Sequence, residues 1–382
     1  SGECLAQTGF LAIKPRAAFD KMAPQAQDFI KGWPHPELLG GDALKHSLLE
    51  SFKKGLEMST ESLNYGDKEN GAYMLGHPKF RQGLAKFLEG QYGTPVDWKT
   101  LMSTAGSSMG TDLALRVHCK AGDICVVEEP TYFLAFTMAR NRDMQLKGVP
   151  MQPDGMDLDA LEKVLEESGG KVKMVYTVPV HHNPTGITMS NAKRVRLVAL
   201  AKKYKFLIAA DEAYQLLNFT PAEVKPLFYH DDPADPRVLS IGTFSKLIGP
   251  GTKVGWVQAH ESLLKPLQSI GFIDSGNNPV IFSSMNLLHF IESGALAKHI
   301  DMVSKDLGDR CKLICRKLKE VGLEVVEPKG GYFVWVESKG KMTGRSGEVA
   351  SINKDKFAKF MRLCFCWLTR SQIEEGIEFL RP

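Results

Sequence analysis

Between residues 100 and 260 the chain alternates short β-branched or apolar runs with longer segments whose apolar residues recur at helical spacing. Such short runs are typical of buried strands, and the longer segments are typical of helices packed on a sheet. The runs are 101–105, 124–127, 172–178, 206–210 and 238–242, and the helical segments include 110–120, 157–167 and 190–204. This alternation predicts an α/β fold, a three-layer domain with a mostly parallel sheet covered by helices on both faces.

The two ends of the chain follow other patterns. A long helical stretch at 281–320 precedes a final strand-and-helix pattern at 361–381, which predicts a smaller α+β domain at the C-terminus. Residues before about 50 are expected to be irregular. The predicted division is an N-terminal segment that packs on the small domain and the substrate site (1–50), a large cofactor-binding domain (51–280) and a small domain (281–382).

Composition excludes several classes of protein. The 48 lysines and arginines nearly balance the 44 aspartates and glutamates, and a net charge of +4 argues against a nucleic-acid or membrane-surface partner. No apolar run reaches the roughly 18 residues that span a bilayer. The seven cysteines are an odd number without a CxxC pair, which favours buried free thiols in a reducing compartment. These features predict a cytoplasmic protein.

Small or polar residues follow each predicted strand, where ligands bind in parallel sheets. The loop Gly106-Ser107-Ser108-Met109-Gly110 could bind an anion or simply begin a helix. Asp211 ends an apolar strand, either as the partner of a cation or as a helix N-cap. Lys246 is either a desolvated, nucleophilic amine or an ordinary surface lysine. Together, an anion loop, a buried acid and an amine are what pyridoxal 5'-phosphate requires.

A set of motifs then points to a known family. They are Asn-Pro-Thr-Gly at 183–186, Asp-Glu-Ala-Tyr at 211–214, Thr-Phe-Ser-Lys at 243–246 followed by Gly-Pro-Gly-Thr-Lys-Val-Gly-Trp, Gly-Gly-Tyr-Phe-Val-Trp at 330–335, and Arg-Leu-Cys-Phe at 362–365. With them the chain resembles the fold type I pyridoxal-phosphate aminotransferases of class I/II, most of all the branch of 2-aminoadipate, kynurenine and aromatic aminotransferases. The resemblance implies an aspartate-aminotransferase-like fold.

The resemblance also implies roles around the cofactor ring. Lys246 would form an aldimine with pyridoxal phosphate and move the substrate proton as general base and acid. Asp211 would pair with the pyridine nitrogen and keep it protonated. Tyr214 and Asn183 would hydrogen-bond the phenolate oxygen, and Tyr132 would lie on the ring face.

Further positions match the family's phosphate site. Ser107, Ser108, Thr243 and Lys253 would hold the phosphate. Tyr65 matches the tyrosine that reaches the phosphate from a second subunit, which implies a homodimer with shared active sites. Lys253 stands where the family usually has arginine, so the charge is kept but the forked donor geometry is lost.

On the substrate side, Arg362 matches the arginine that holds the α-carboxylate. Asn183 would also contact the substrate, and Gly32 would leave room for it. His182, beside Asn183, is expected to line the substrate pocket. Its neighbour His181 points to the other side of a strand, so we expect no metal site.

The resulting hypothesis is a transaminase that moves an amino group between an L-amino acid and a 2-oxo acid in a ping-pong cycle. Two alternatives share the same motifs. One is another pyridoxal-phosphate reaction, either a β- or γ-elimination or the formation of an aminocyclopropane carboxylate. The other is a non-catalytic sensor domain. The substrate stays open, and Arg16 could bind a distal carboxylate or be an ordinary surface residue.

Overall fold

The computed structural model describes residues 29–65, 73–221 and 224–381. Residues 1–28 lie outside this range, so Arg16 and most of the predicted N-terminal segment are outside the described residues. The part of that segment that is described is less irregular than expected. A short helix, Pro36–Gly40, begins at Pro36, because a proline is tolerated in the first turn of a helix. A longer helix, Asp42–Glu57, follows in a stretch rich in leucine, lysine and glutamate.

Strands and helices alternate through the middle of the chain. The strands are β1 (Leu101–Thr104), β2 (Ile124–Glu129), β3 (Gln145–Gln152), β4 (Gly155–Met156), β5 (Val172–Thr177), β6 (Leu207–Asp211), β7 (Val238–Thr243), β8 (Gly255–Gln258), β9 (Phe333–Glu337), β10 (Arg345–Ser346) and β11 (Phe360–Cys364). The α-helices are α1 (Pro36–Gly40), α2 (Asp42–Glu57), α3 (Ser59–Ser62), α4 (Pro78–Tyr92), α5 (Ser107–His118), α6 (Leu134–Arg140), α7 (Leu158–Glu167), α8 (Asn191–Tyr204), α9 (Glu261–Gln268), α10 (Gly271–Gly276), α11 (Ile281–Glu292), α12 (Ala295–Glu320) and α13 (Arg370–Glu378).

The large sheet has eight strands in the order β1-β8-β7-β6-β5-β2-β3-β4. Strands β7, β6, β5, β2 and β3 are parallel, as predicted, whereas β8 runs antiparallel to both of its neighbours. One face packs on a core that includes residues of α5, α6 and α9, and the other on residues of α7 and α8. This arrangement confirms the predicted three-layer α/β domain.

The smaller C-terminal domain contains the antiparallel sheet β10-β11-β9. The stretch 281–320, predicted as a single helical segment, is two helices. They are separated at Gly294, whose φ of 76° lies in the left-handed region that favours glycine. Helix α12 then runs for 26 residues, and its buried side includes Leu296, Ile300 and Leu307 at helical spacing. Within the described ranges, no helix is long and apolar enough to span a bilayer.

Candidate active site

The carboxyl ends of β5, β6 and β7 meet the small sheet around one cavity with an empty volume of about 750 Å³. Its lining includes eight of the predicted site residues, namely Gly32, Ser107, Tyr132, Asn183, Asp211, Tyr214, Lys246 and Arg362. Residues from five loops and from the N-terminal segment are thus brought together, as a ligand site at strand ends requires.

Asp211 ends β6 in the middle of the sheet and is 7% exposed. Tyr176 on the neighbouring strand β5 donates its hydroxyl to Asp211 Oδ2 at 2.8 Å. The other oxygen, Oδ1, is buried and has no hydrogen-bond partner among the described residues. Burial raises the pKa of this carboxyl, and the hydrogen bond from Tyr176 opposes that rise. A buried carboxylate with an unpaired oxygen fits a protonated ring nitrogen, the group that pyridoxal phosphate would place there.

Lys246 follows β7 and extends into the same cavity. Its Nζ donates to the backbone carbonyl of Gly32 at 2.9 Å, and its own carbonyl accepts a hydrogen bond from the hydroxyl of Tyr332 at 2.5 Å. Burial lowers the pKa of the amine, because the charged form loses its hydration. More of the amine is then neutral at a given pH, and the neutral form is the one that acts as nucleophile and as base.

The turn before α5 provides a cradle for an anion. Gly106 has a φ of 85°, and a Cβ on it would lie 3.6 Å from Thr243 Oγ1 and 3.7 Å from Ser245 Oγ. The N–H of Ser245 donates to Thr243 Oγ1 at 3.1 Å. The start of a helix and two hydroxyls therefore meet beside Ser107, a donor set suited to a phosphate. Sequence reasoning missed Ser245, although it lies within the quoted motif.

Four predicted residues are not among those that line the cavity. Thr243 is buried in the cradle just described, whereas the side chains of Ser108 and Lys253 are exposed. Tyr65 is 67% exposed, and its carbonyl accepts a hydrogen bond from the side-chain amide of Asn277. An exposed tyrosine in this position does not complete the site of its own chain.

Arg362 on β11 reaches the cavity from the small sheet. Its Nη1 donates to Asn183 Oδ1 at 3.1 Å and its Nη2 to the carbonyl of Ile30 at 2.8 Å. Its Nε is buried and has no hydrogen-bond partner among the described residues. The guanidinium lies 4.1 Å from the ring centre of Phe333. This fixed, buried cation is suited to a carboxylate.

Gly32 lies beside the arginine. A Cβ on Gly32 would approach Phe333 Cζ to 3.2 Å and Arg362 Nη2 to 3.7 Å. A larger side chain would therefore occupy space next to the guanidinium. The same N-terminal segment is held to β11 by the N–H of Cys364, which donates to the carbonyl of Phe29 at 2.9 Å.

His182 does not line the cavity, contrary to the expectation from its position beside Asn183. It is fully buried, with Nε2 3.1 Å from Glu128 Oε2 and Nδ1 2.9 Å from Thr185 Oγ1. Thr177 also donates to Glu128, at 2.6 Å. Both ring nitrogens of His182 therefore face groups of this buried polar cluster rather than the cavity. The cluster was not predicted, because the run 124–127 is apolar and Glu128 directly follows it.

Two further lining or supporting residues were missed. Tyr176 sits inside an apolar run, where its partner Asp211 becomes apparent only once β5 and β6 are paired. Arg345 on β10 lines the cavity and lies 5.0 Å from the ring centre of Phe133. No motif marks it in the sequence.

Comparisons with known proteins agree with this geometry. Residues 44–380 match the family model described as aminotransferase class I and II. The chain is 31% identical over 370 residues to aromatic-amino-acid aminotransferase 1 of Thermococcus litoralis, covering 91% of this chain and 85% of the relative. Its fold matches a multiple substrate aminotransferase from Thermococcus profundus with a TM-score of 0.84 and 30% identity, over 97% of this chain and 94% of the other.

It also matches a Pyrococcus horikoshii kynurenine aminotransferase with a TM-score of 0.82 and 27% identity, over 97% and 96% of the two chains. That structure is described as a complex with PMP, kynurenine and its product. The comparisons favour transamination over the elimination and sensor alternatives. The predicted resemblance is confirmed: the chain belongs to the aminotransferase class I and II family and is a pyridoxal-phosphate-dependent aminotransferase.

Proposed function

We propose that this protein transfers the amino group of an L-amino acid to a 2-oxo acid in a ping-pong cycle, with Lys246, Asp211 and Arg362 as the residues on which turnover depends. The observation that carries the proposal is that an amine, a carboxyl and a guanidinium, all poorly solvated, line one cavity. An amine for proton transfer, an acid for the ring nitrogen and a cation for the substrate carboxylate are the minimum that this reaction requires.

Pyridoxal phosphate, when bound, supplies an electron sink for the charge that develops at the amino acid's α-carbon. Asp211 would pair with the ring nitrogen, and Tyr132 would lie on the ring face. The phenolate oxygen would accept hydrogen bonds from Tyr214 and Asn183. The phosphate would be held by the cradle, through Ser107, Thr243 and Ser245. The exposed residues Ser108 and Lys253 would contact it from outside. The unpaired Oδ1 of Asp211 supports this orientation, because it needs a donor.

Lys246 would bond to the cofactor through its amine and, once displaced by the substrate, act at the substrate's α-carbon. Its Nζ would take the α-proton and later return a proton. The burial that lowers its pKa supports both roles, since a base works best when its pKa lies close to the working pH. The carbonyl of Gly32 would orient the amine.

Arg362 would bind the α-carboxylate, with Asn183 holding one of its nitrogens in place. Tyr214 packs its ring edge-on against Tyr332 and Phe333, at centroid distances of 5.4 and 5.8 Å. This aromatic packing would keep water from the reacting atoms and hold the tyrosine hydroxyl in position.

We also propose a homodimer in which Tyr65 of each chain serves the site of the other. An exposed apolar surface supports it, formed by residues of α2 and α11 that are 41–52% exposed, namely Leu49, Phe52, Leu56 and Phe282. Exposed apolar patches of this kind mark protein interfaces. The predicted boundaries 1–50, 51–280 and 281–382 remain our proposed division of the chain.

The reducing compartment expected from the sequence, and with it a cytoplasmic location, remains part of the proposal. All six cysteines in the described part of the chain are free thiols. Five of them are buried, which favours a structural role over a disulfide framework.

The test is a donor screen with the full chain and its cofactor. Amino acids are added singly without a 2-oxo acid, and conversion of the cofactor to its aminated form is followed by absorbance. Stoichiometric conversion, reversed by a 2-oxo acid, is expected. Release of ammonia or pyruvate without an acceptor would instead identify an elimination.

Lys246→Ala is the decisive variant in the same screen. It should abolish borohydride-stable attachment of the cofactor and reduce turnover by several orders of magnitude. Lys298→Ala, on an exposed position of α12, is the matched control. Retained attachment and turnover in Lys246→Ala would show that another amine does the chemistry.

A further inference from the structure

Two cysteines lie at the end of β11, close to the active site. Cys364 is the last residue of that strand, Cys366 follows two positions later, and both are fully buried. Their Sγ atoms are 3.5 Å apart. Residues two apart on a strand point to the same side, so Arg362 and Cys364 leave the sheet on one face. A pair of thiols is therefore held beside the guanidinium that lines the cavity.

A segment of the N-terminal region, residues 29–35 (the strap), is fastened to these cysteines. Cys366 donates its S–H to the carbonyl of Trp33 at 3.0 Å. The N–H of Cys364 donates to the carbonyl of Phe29 at 2.9 Å. The thiol of Cys366 is thus one of the groups that hold the strap against β11.

The same strap contributes to the active site. Its carbonyl at Gly32 accepts a hydrogen bond from Lys246 Nζ at 2.9 Å, and its carbonyl at Ile30 accepts one from Arg362 Nη2 at 2.8 Å. Both cations are therefore oriented in part by a segment that the thiol helps to hold. A chemical change at the thiols that displaces the strap would alter the surroundings of the amine and the guanidinium.

The two thiols differ in acidity. Burial acts to raise the pKa of Cys364, but the hydrogen bond from Cys366 and the positive charge of Arg362 outweigh burial, so the pKa of Cys364 is lowered. The pKa of Cys366 is raised by burial and by its neighbour Cys364. Cys364 therefore ionises first. A thiolate beside a neutral thiol is typical of redox-sensing pairs, in which the first sulfur attacks an oxidant and the second resolves the product.

We propose that Cys364 and Cys366 form a reversible oxidation site, at which a hydroperoxide converts the two thiols to a disulfide and the strap is detached from β11. The Cys364 thiolate would attack the O–O bond and become a sulfenic acid, and the alkoxide or hydroxide that leaves would take up a proton. The sulfur of Cys366 would then attack the sulfur of Cys364, and its proton would leave with the hydroxyl group as water.

The reaction is balanced by the oxidant. Two thiols and one hydroperoxide give one disulfide, one alcohol (water from hydrogen peroxide) and one further water, and the two electrons that the sulfurs lose reduce the O–O bond. The cysteines in the described part of the chain are free thiols. A disulfide that forms only on oxidation agrees with this state and with a reducing compartment, where disulfides are transient.

Oxidation should weaken the strap, because a disulfide has no S–H to donate and the carbonyl of Trp33 loses that partner. The kcat/KM for amino donors should fall by about 2- to 10-fold, the effect of losing one neutral hydrogen bond. The formation of the disulfide does not depend on the proposed function. Its effect on turnover does, since the strap acts through Lys246 and Arg362.

The test follows the thiols of the holoenzyme by mass spectrometry. Cleavage after arginine releases residues 363–370, a peptide that contains Cys364 and Cys366 and no other cysteine. After treatment with hydrogen peroxide this peptide should be about 2 Da lighter, the mass of the two hydrogens lost, and should resist alkylation until a dithiol reductant is added. The activity should fall with the mass change and return with reduction.

Serine variants separate the two steps. Cys366→Ser keeps a hydroxyl donor for Trp33 but cannot form the disulfide, so peroxide should leave a sulfenic acid on Cys364 that dimedone traps. Cys364→Ser should give no such adduct at Cys366. Cys119→Ser is the matched control, because burial raises the pKa of that distant thiol to about 12. It should be oxidised at the same site and to the same extent as the unmodified enzyme.

Four results would overturn the inference. One is unchanged alkylation of both cysteines after peroxide, and another is a disulfide that links either cysteine to a different peptide. The third is equal inactivation of Cys364→Ser and the unmodified enzyme, which would place the damage elsewhere. The fourth is a disulfide that leaves kcat/KM unchanged. Failure of the proposed function is distinguishable, because the mass change would then occur in a protein that no amino donor converts to its aminated form.

Discussion

Tyr176→Phe removes a single oxygen from a buried position, and its effect can be worked out from the structure. The hydroxyl donates to Asp211 Oδ2 at 2.8 Å, and both side chains are less than one-tenth exposed. A hydrogen bond to a charged group contributes roughly 1.5–3 kcal/mol. Because phenylalanine fills nearly the same volume as tyrosine, the packing should be kept. The main effect of losing the hydrogen bond should be to destabilise the ionised form of the Asp211 carboxyl.

The change should therefore raise the pKa of Asp211 beyond the rise that burial already causes, because the ionised form loses a hydrogen bond. Pyridoxal phosphate needs the ionised carboxylate as a partner for its protonated ring nitrogen, so its affinity should fall by about 10- to 100-fold. The loss should be larger at low pH, where more of the carboxyl is neutral, and should shrink as pH rises.

The assay is a titration of cofactor-free protein with pyridoxal phosphate at several pH values, followed by absorbance or fluorescence. Tyr204→Phe is the matched control, because the Tyr204 hydroxyl also donates to carboxylates, at 3.2 Å from both Glu162 and Glu166, but on the surface. That variant should bind the cofactor normally. An unchanged affinity in Tyr176→Phe, or a loss that does not depend on pH, would refute the reasoning.

The pH dependence of the stability of the cofactor-free protein tests the direction of the Asp211 pKa shift independently. Burial raises the folded-state pKa of Asp211, so the folded protein binds more protons than the unfolded chain between the two pKa values. The contribution of this group to stability is therefore lost as pH rises through its folded-state pKa. Tyr176→Phe should extend that loss to higher pH in thermal unfolding, and added pyridoxal phosphate should oppose it.

Two more substitutions test the substrate side and the dimer. Arg362→Ala should raise KM for every amino acid by about 10- to 100-fold, because it removes a charge-assisted pair. Initial rates measured over a range of donor concentrations check this. An unchanged KM would assign the binding of the α-carboxylate to another residue. The variants Tyr65→Ala and Lys246→Ala should each be weakly active alone. When the two are denatured together and refolded as a mixture, about a quarter of full activity should return. Half of the dimers then contain one chain of each variant, and one of the two sites in each such dimer is intact. No recovery would mean that Tyr65 acts within its own chain or not at all.

The sequence predicted the parts of the fold that depend on local pattern. Apolar runs bounded by polar loops located the ends of β5, β6 and β7 to within one residue, and the last two of these strands place Asp211 and Lys246. The antiparallel direction of β8 was not predictable, because a short apolar strand has the same pattern in either direction. The break at Gly294 was also missed, since apolar spacing continues on both sides of it.

The place of a residue in the cavity was predictable where a sequence motif marks it, as for Lys246, which lines the cavity as expected. It was not where the chemistry depends on a neighbour distant in sequence. Tyr176 contacts the site only through its hydrogen bond to Asp211, 35 residues away in the sequence. His182 does not line the cavity, because its ring faces the buried carboxylate of Glu128. Arg345 belongs to the same group, because only the pairing of β10 with β11 brings it beside Arg362.

Both sheets contribute side chains to the lining of the cavity, and they differ in how much a substitution would disturb the core. Asp211 and Lys246 come from the parallel strands of the large sheet, whereas Arg362 and Arg345 come from the small antiparallel one. The central strands of the large sheet are paired on both edges and buried, so changes there would disturb the core as well as the chemistry. Strand β10 is a two-residue edge strand with a single neighbour. A substitution on this edge strand should therefore leave the positions of Asp211 and Lys246 in the large sheet unchanged.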